Sequence, residues 1–195
     1  DFRKRKNTRA QPLEIEVIRN SKKKRELTSE QSDLINKLFI NKEYSNDVNA
    51  ILIIGSPGSG KSNYISSNDD IYLNYVKISR DYFVENMNID KDNKWKILQF
   101  LISHVENKAI KGCNNILWEI TGRNWSDISR IRRICKDNKY SLKIIFVTSE
   151  IDSCKKRIIH REKTLDRKVL VNDFNLVNKQ IQKNFIRIEL QSNES

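Results

Sequence analysis

Residues Gly55 to Ser62 read GSPGSGKS, a complete phosphate-binding loop of the pattern G-x-x-x-x-G-K-S. Glycines allow a tight turn in which successive backbone N–H groups converge on phosphate oxygens. Gly55, Ser56, Pro57, Gly58, Ser59, Gly60, Lys61, Ser62 and the following Asn63 are therefore the candidate nucleotide-binding residues. Lys61 supplies a point charge for the β- and γ-phosphates, and the Ser62 hydroxyl suits a Mg²⁺ ligand. The expected ligand is ATP or GTP with Mg²⁺.

Three further groups of polar residues could complete a site for phosphoryl transfer to a hydroxyl: Asp81; Glu119, Thr121 and Arg123; and Arg157, Arg161 and Arg167. An ionised carboxylate such as Asp81 can take the acceptor's proton. Guanidinium groups can stabilise charge on the group in transit through paired donors. Glu119 and Thr121 can hydrogen-bond a polar substrate or support a Mg²⁺-bound water, and Arg123 can grip a substrate phosphate. Simpler roles stand beside these. Asp81 also suits a helix N-cap, and Arg157 also suits ion pairing on a solvated helix face.

The elements that must position these residues are legible from periodicity. The apolar run AILII at 50–54 precedes the loop, and its unbroken apolar character suits a strand of a parallel sheet covered on both faces. YVKI at 75–78, NNILWEI at 114–120 and LKIIFV at 142–147 read as further strands. Between them lie helical patterns: TSEQ at 28–31 as a capping box opening a helix to residue 42, a short helix over 60–67, and a stripe of Trp95, Leu98, Leu101, Ile102, Val105 and Ala109. Gly112 stops that helix. WSDISRIRRICKDNK turns Ile128, Ile131 and Ile134/Cys135 inward and its arginines, Arg130, Arg132 and Arg133, outward. SEIDSCKKRIIHREK and a final helix over about 171–190 follow. Strands alternating with helices predict an α/β fold with a doubly wound, mainly parallel sheet flanked by helices, and the phosphate loop after its central strand suits a P-loop NTPase. Such sheets bind ligands at the carboxyl ends of their strands, where Asp81 and Glu119 fall. The three tryptophans read as core residues, and the isolated His104 and His160 as structural.

Length and composition fit this picture. A chain of 195 residues accommodates one domain, 28–195 with its core over 48–170, and a basic arm, 1–27. The arm carries RKRK, KKKR and an alternating LEIEVI that could add an edge strand. Residues 1–30 hold ten Lys/Arg against five Asp/Glu, and the other 165 hold 27 against 20, so the +12 charge is not confined to the arm. Such a potential attracts nucleotides and would also admit nucleic acid. Three widely spaced cysteines, Cys113, Cys135 and Cys154, suggest neither a disulfide framework, nor a disulfide-linked partner, nor a zinc site. A reducing, cytoplasmic setting without membrane spans is expected.

GSPGSGKS, then RDYF after the second strand, then WEITGRN after the third, resembles the zeta toxin family of P-loop kinases. The resemblance spans about residues 48–170. It implies that Asp81 is the catalytic base, that Glu119, Thr121 and Arg123 contact substrate, and that Arg161 and Arg167 are lid arginines. It also implies an acceptor such as UDP-N-acetylglucosamine, phosphorylated on a sugar hydroxyl. Asp81 is followed here by Tyr82-Phe83-Val84 rather than by an Arg or His-Pro, and the segment from Arg161 to Arg167 is short. Both departures bear on the acceptor. Three functions follow for test: a small-molecule kinase acting on a hydroxyl-bearing anion, a polynucleotide 5′-hydroxyl kinase, and a non-catalytic nucleotide-dependent module that binds nucleic acid.

Overall fold

The computed structural model describes residues 26–89, 92–161, 172 and 174–179. The basic arm with LEIEVI, the segment carrying Arg167 and most of the last predicted helix lie outside the described residues, although 174–179 are helical.

Four strands, β1 (Asn49–Ile54), β2 (Tyr75–Ser79), β3 (Asn115–Ile120) and β4 (Ser141–Phe146), form a sheet of order β2-β3-β1-β4. Every pairing is parallel. The loop-bearing strand β1 lies between β3 and β4, so its apolar run is paired along both edges and buried on both faces. Alternation then sorts the side chains. Ala50, Leu52 and Ile54 face the larger core with Val76, Ile78, Ile116 and Trp118, while Ile51, Ile53 and Leu117 face a smaller one.

The larger core is closed by helices α1 (Ser29–Lys37), α4 (Arg80–Asn86), α5 (Lys94–Lys111) and α6 (Trp125–Asp137). The smaller is closed by α2 (Lys61–Ser67) and α3 (Asp69–Tyr72), which contribute Ile65 and Tyr72. Helices on both faces make the sheet doubly wound. The last described complete helix is α7 (Ile151–Arg161). Among the described residues no helix is long and apolar enough to cross a membrane.

The capping box forms as the sequence predicts: Gln31 N–H donates to Thr28 Oγ1 at 3.2 Å, and Thr28 N–H to Gln31 Oε1 at 3.1 Å. The helix it opens is shorter than the apolar pattern, ending at Lys37 rather than 42. Two readings need correction. Trp95 is half exposed rather than core: it sits in the first turn of α5, with the Arg80 guanidinium 4.1 Å from its ring centroid. Arg130 does more than face solvent on α6, since its side chain is 37% exposed and carries a buried partner. It donates to both carboxylate oxygens of Glu106, at 2.9 and 2.8 Å, and Glu106 is itself 4% exposed. Trp118 Nε1 completes that cluster, donating to Glu106 Oε1 at 2.9 Å. A buried carboxylate needs such partners to offset its lost hydration.

Candidate active site

The phosphate loop leaves the end of β1 and enters α2 at Lys61. At Gly58 the backbone is left-handed, with φ +74°, and a Cβ would stand 2.6 Å from the carbonyl oxygen of Cys154. Glycine is therefore required twice over, for conformation and for the close approach of α7. Gly122, after β3, meets the same double requirement: φ is +73° and a Cβ would lie 2.2 Å from Ile54 Cγ2. That turn carries the chain from Glu119 and Thr121 across the tip of β1. No side chain caps α2 at Gly60, where the backbone is left-handed with φ +102°.

Lys61 Nζ donates to the carbonyl oxygens of Gly55 and Ser56, at 2.9 and 3.2 Å. Arg157 reaches over from α7 and donates from Nη1 to the Gly58 carbonyl at 3.1 Å and to Ser149 Oγ at 3.4 Å. Cys154, one turn earlier in α7, is buried against the loop with Sγ 4.0 Å from Ser56 Oγ. Its burial and the absence of a cysteine partner agree with a structural thiol; Cys113 and Cys135 are free as well.

Asp81 lies in the first turn of α4 but is not its cap. Ser79 is the N-cap, and its Oγ accepts from the Asp81 N–H at 3.3 Å. The Asp81 side chain is exposed and, among the described residues, forms no ion pair. Glu119 and Ser79 are register partners on β3 and β2, which puts the carboxylate at the rim beside α4. Ser62 Oγ donates to Glu119 Oε1 at 3.4 Å, so the start of α2 and the end of β3 meet here.

A cavity of about 230 Å³ gathers these groups: Pro57 to Asn63 of the loop and α2 (Ser59 apart), Asp81, Glu119, Thr121, Arg157 and Ile158. A second, of about 820 Å³, shares Ser62, Asp81 and Glu119 with the first and extends over β2 between α2 and α4. Of the residues singled out in sequence, Arg123 is exposed and lines neither cavity. Arg161 closes α7, but its side chain and all of Arg167 lie outside the described residues. Lys77 lines the larger cavity and has no counterpart among the sequence candidates. The signal for it was present: in YVKI, the alternation that buries Val76 and Ile78 turns Lys77 to the opposite face.

A hydroxyl and a carboxylate within 3.4 Å offer the hard oxygen ligands that suit Mg²⁺ alongside phosphate and water. Among the described residues no group of three or more His, Cys, Asp or Glu could hold a metal unaided.

The profile of the zeta toxin family matches residues 36–194. The chain belongs to the zeta toxin family. No curated protein matches it in sequence. Several solved structures share this fold. One is from the PezAT chromosomal toxin–antitoxin system of the human pathogen Streptococcus pneumoniae, with TM-score 0.66 and 18% identity over 84% of this chain and 75% of that one. A chain of the Pnkp1/Rnl/Hen1 RNA repair complex aligns with TM-score 0.57 and 17% identity over 71% of this chain and 47% of that one. A chain of AvrRxo1-ORF1:-ORF2 with ATP aligns with TM-score 0.58 and 11% identity over 81% and 55%. The chain thus spans about half the length of the latter two. Identities this low speak for the fold, which is that of the P-loop kinases, and not for a substrate.

Proposed function

We propose that this zeta toxin family member is a kinase that transfers the γ-phosphoryl group of ATP or GTP to a hydroxyl of an anionic small molecule such as a nucleotide sugar. The observation that carries the reading is the single cavity lined by both the phosphate loop and Asp81, Glu119, Thr121 and Arg157. A donor site alone needs only the loop. An unpaired carboxylate at its open side is what a hydroxyl acceptor requires.

In this reading residues 55–63 hold the triphosphate, with Ser62 and Glu119 as the groups that would hold Mg²⁺. When bound, the ion neutralises phosphate charge. Lys61 leaves the Gly55 and Ser56 carbonyls for phosphate oxygens. Asp81 orients the acceptor hydroxyl and takes its proton as the oxygen bonds to the γ-phosphorus. The bond from that phosphorus to the bridging oxygen breaks, and the nucleoside diphosphate departs. Arg157 stabilises the charge on the transferring group, aided by Arg161 and Arg167. Glu119, Thr121 and Arg123 contact the acceptor. Residues 28–195 act as one kinase domain, 1–27 as an appended arm, and the setting is cytoplasmic.

A polynucleotide 5′-hydroxyl is the second reading, supported by the +12 charge. Incubation with γ-labelled ATP, a metabolite extract and RNA tests both. Label on a small anion supports the first, label on RNA the second, and no labelled species from either pool would sink the kinase reading.

A further inference from the structure

The larger cavity presents opposite charges to the two ends of a substrate. Its floor is a stretch of β2 and β3 on the face towards α2 and α3. There Ser79 stands beside Glu119 and, two residues earlier, Lys77 stands beside Leu117. Ser62, Asp81 and Glu119 form the end shared with the phosphate site. Lys77 is set back along β2 by about 7 Å at the usual rise of a strand, roughly the width of a sugar ring.

Charge decides where an anion can sit. The lining carries three carboxylates, Asp81, Glu85 and Glu119, and Lys77 is the one cation among the described lining residues. Lys77 is thus the charged side chain of this lining that attracts an oxyanion. That ammonium is 2.6 Å from Asp69 Oδ1 on α3, with the Asp69 side chain 55% exposed and that of Lys77 37% exposed. Lys42 lies close enough to feel both. Burial first, and then the neighbouring Lys77 ammonium, holds Lys42 below the usual lysine range, against the opposing pull of Asp69. The Lys42 ammonium itself donates to the Leu73 carbonyl oxygen, so Lys77 is the group paired with Asp69. Asp69, on a one-turn helix and mostly in solvent, can yield Lys77 to a better-placed anion at little cost.

We propose that Lys77 is the acceptor-specificity residue, binding an oxyanion of the acceptor in exchange for Asp69 while the acceptor's hydroxyl lies at Asp81. This rests on the kinase reading above. It moves the anion contact from Arg123, which lines neither cavity, to a residue on the cavity floor.

The test is calorimetric titration of UDP-N-acetylglucosamine, and of uncharged N-acetylglucosamine, into protein preloaded with Mg²⁺ and a non-hydrolysable ATP analogue. Lys77→Met is expected to weaken binding of the charged probe about tenfold or more, as expected for loss of a charge-assisted contact, and to leave the neutral probe unchanged. Lys77→Arg should restore most of the loss. Asp69→Asn should tighten the charged probe several-fold, a gain that no folding defect produces. Wild-type affinity in Lys77→Met, weaker binding in Asp69→Asn, or no saturable binding of the charged probe to wild type would each overturn the proposal. Lys77-dependent binding without transfer of label from ATP would sink the kinase reading and leave the oxyanion site standing. Transfer with an unchanged acceptor KM in Lys77→Met would sink the oxyanion site alone.

Discussion

Arg157 donates to the carbonyl oxygen of Gly58 at 3.1 Å, a contact spanning 99 residues that latches α7 onto the phosphate loop. The same guanidinium lines the phosphate cavity. An exposed arginine held by a backbone carbonyl rather than by a carboxylate is easily released to an incoming phosphate, since the bond it gives up is neutral and solvated.

Arg157→Ala should accordingly lower kcat by about a thousandfold, the low end of the effect of a phosphoryl-transfer arginine, with a small change in melting temperature. Arg157→Lys should recover little, because an ammonium cannot reproduce the paired donors. Steady-state kinetics beside thermal melts check this. A large loss of stability with normal kcat would show the latch to be purely structural.

Asp81 and Ser79 allow the proposed catalytic role to be separated from capping. Asp81→Asn should cost a hundredfold or more in turnover, on the order of a general base, while leaving nucleotide affinity and stability near wild type. Ser79→Ala should do the reverse in kind, destabilising by about 1 kcal/mol through loss of the cap. Comparing denaturant midpoints with rates for the two variants tests the assignment. Full activity in Asp81→Asn would remove it from the mechanism.

The Glu106 cluster is a claim about stability. Glu106→Ala strands the Trp118 and Arg130 donors, and Arg130→Ala leaves a buried carboxylate with a single neutral donor. Each should cost about 3 kcal/mol, the usual penalty for breaking a buried ion pair. Arg133→Ala, on the exposed face of α6, should stay within about 0.5 kcal/mol. Urea unfolding of the three variants measures the contrast.

Alkaline pH should unfold the protein through buried groups that must ionise. Burial, then the neighbouring Cys113 and Cys135, pushes the Tyr140 hydroxyl up to about 12 from 10.0, and burial, then Glu106, pushes the Cys135 thiol up to about 11 from 9.0. The folded state therefore keeps protons that the unfolded chain has already lost. Stability from these groups is complete below pH 9.0 and is lost as pH rises towards 12. Cys135→Ala should flatten the part of that fall between about pH 9 and 11. Chemical denaturation across this range would show it, and a pH-independent midpoint would contradict it.

What the sequence determined by itself was whatever short-range rules decide. GSPGSGKS after an apolar strand specified the donor loop, because its glycines and lysine act within eight consecutive residues. The four strands and the capping box were legible for the same reason: period-2 burial and an i to i+3 hydrogen bond are local. The strand-end rule brought Asp81, Glu119 and Thr121 to one rim. Tertiary structure decided the rest, since pairing across the chain leaves no local trace. Only packing shows that Glu106 pairs with Arg130, that Trp95 is half exposed beneath Arg80, and that Ser79 rather than Asp81 caps α4. The acceptor side shows the limit most clearly. Arg123 stands in a recognisable motif yet lines neither cavity. Lys77, in an ordinary strand, reaches the cavity floor because β2 pairs with β3 and its alternation turns Lys77 to the same face as Leu117.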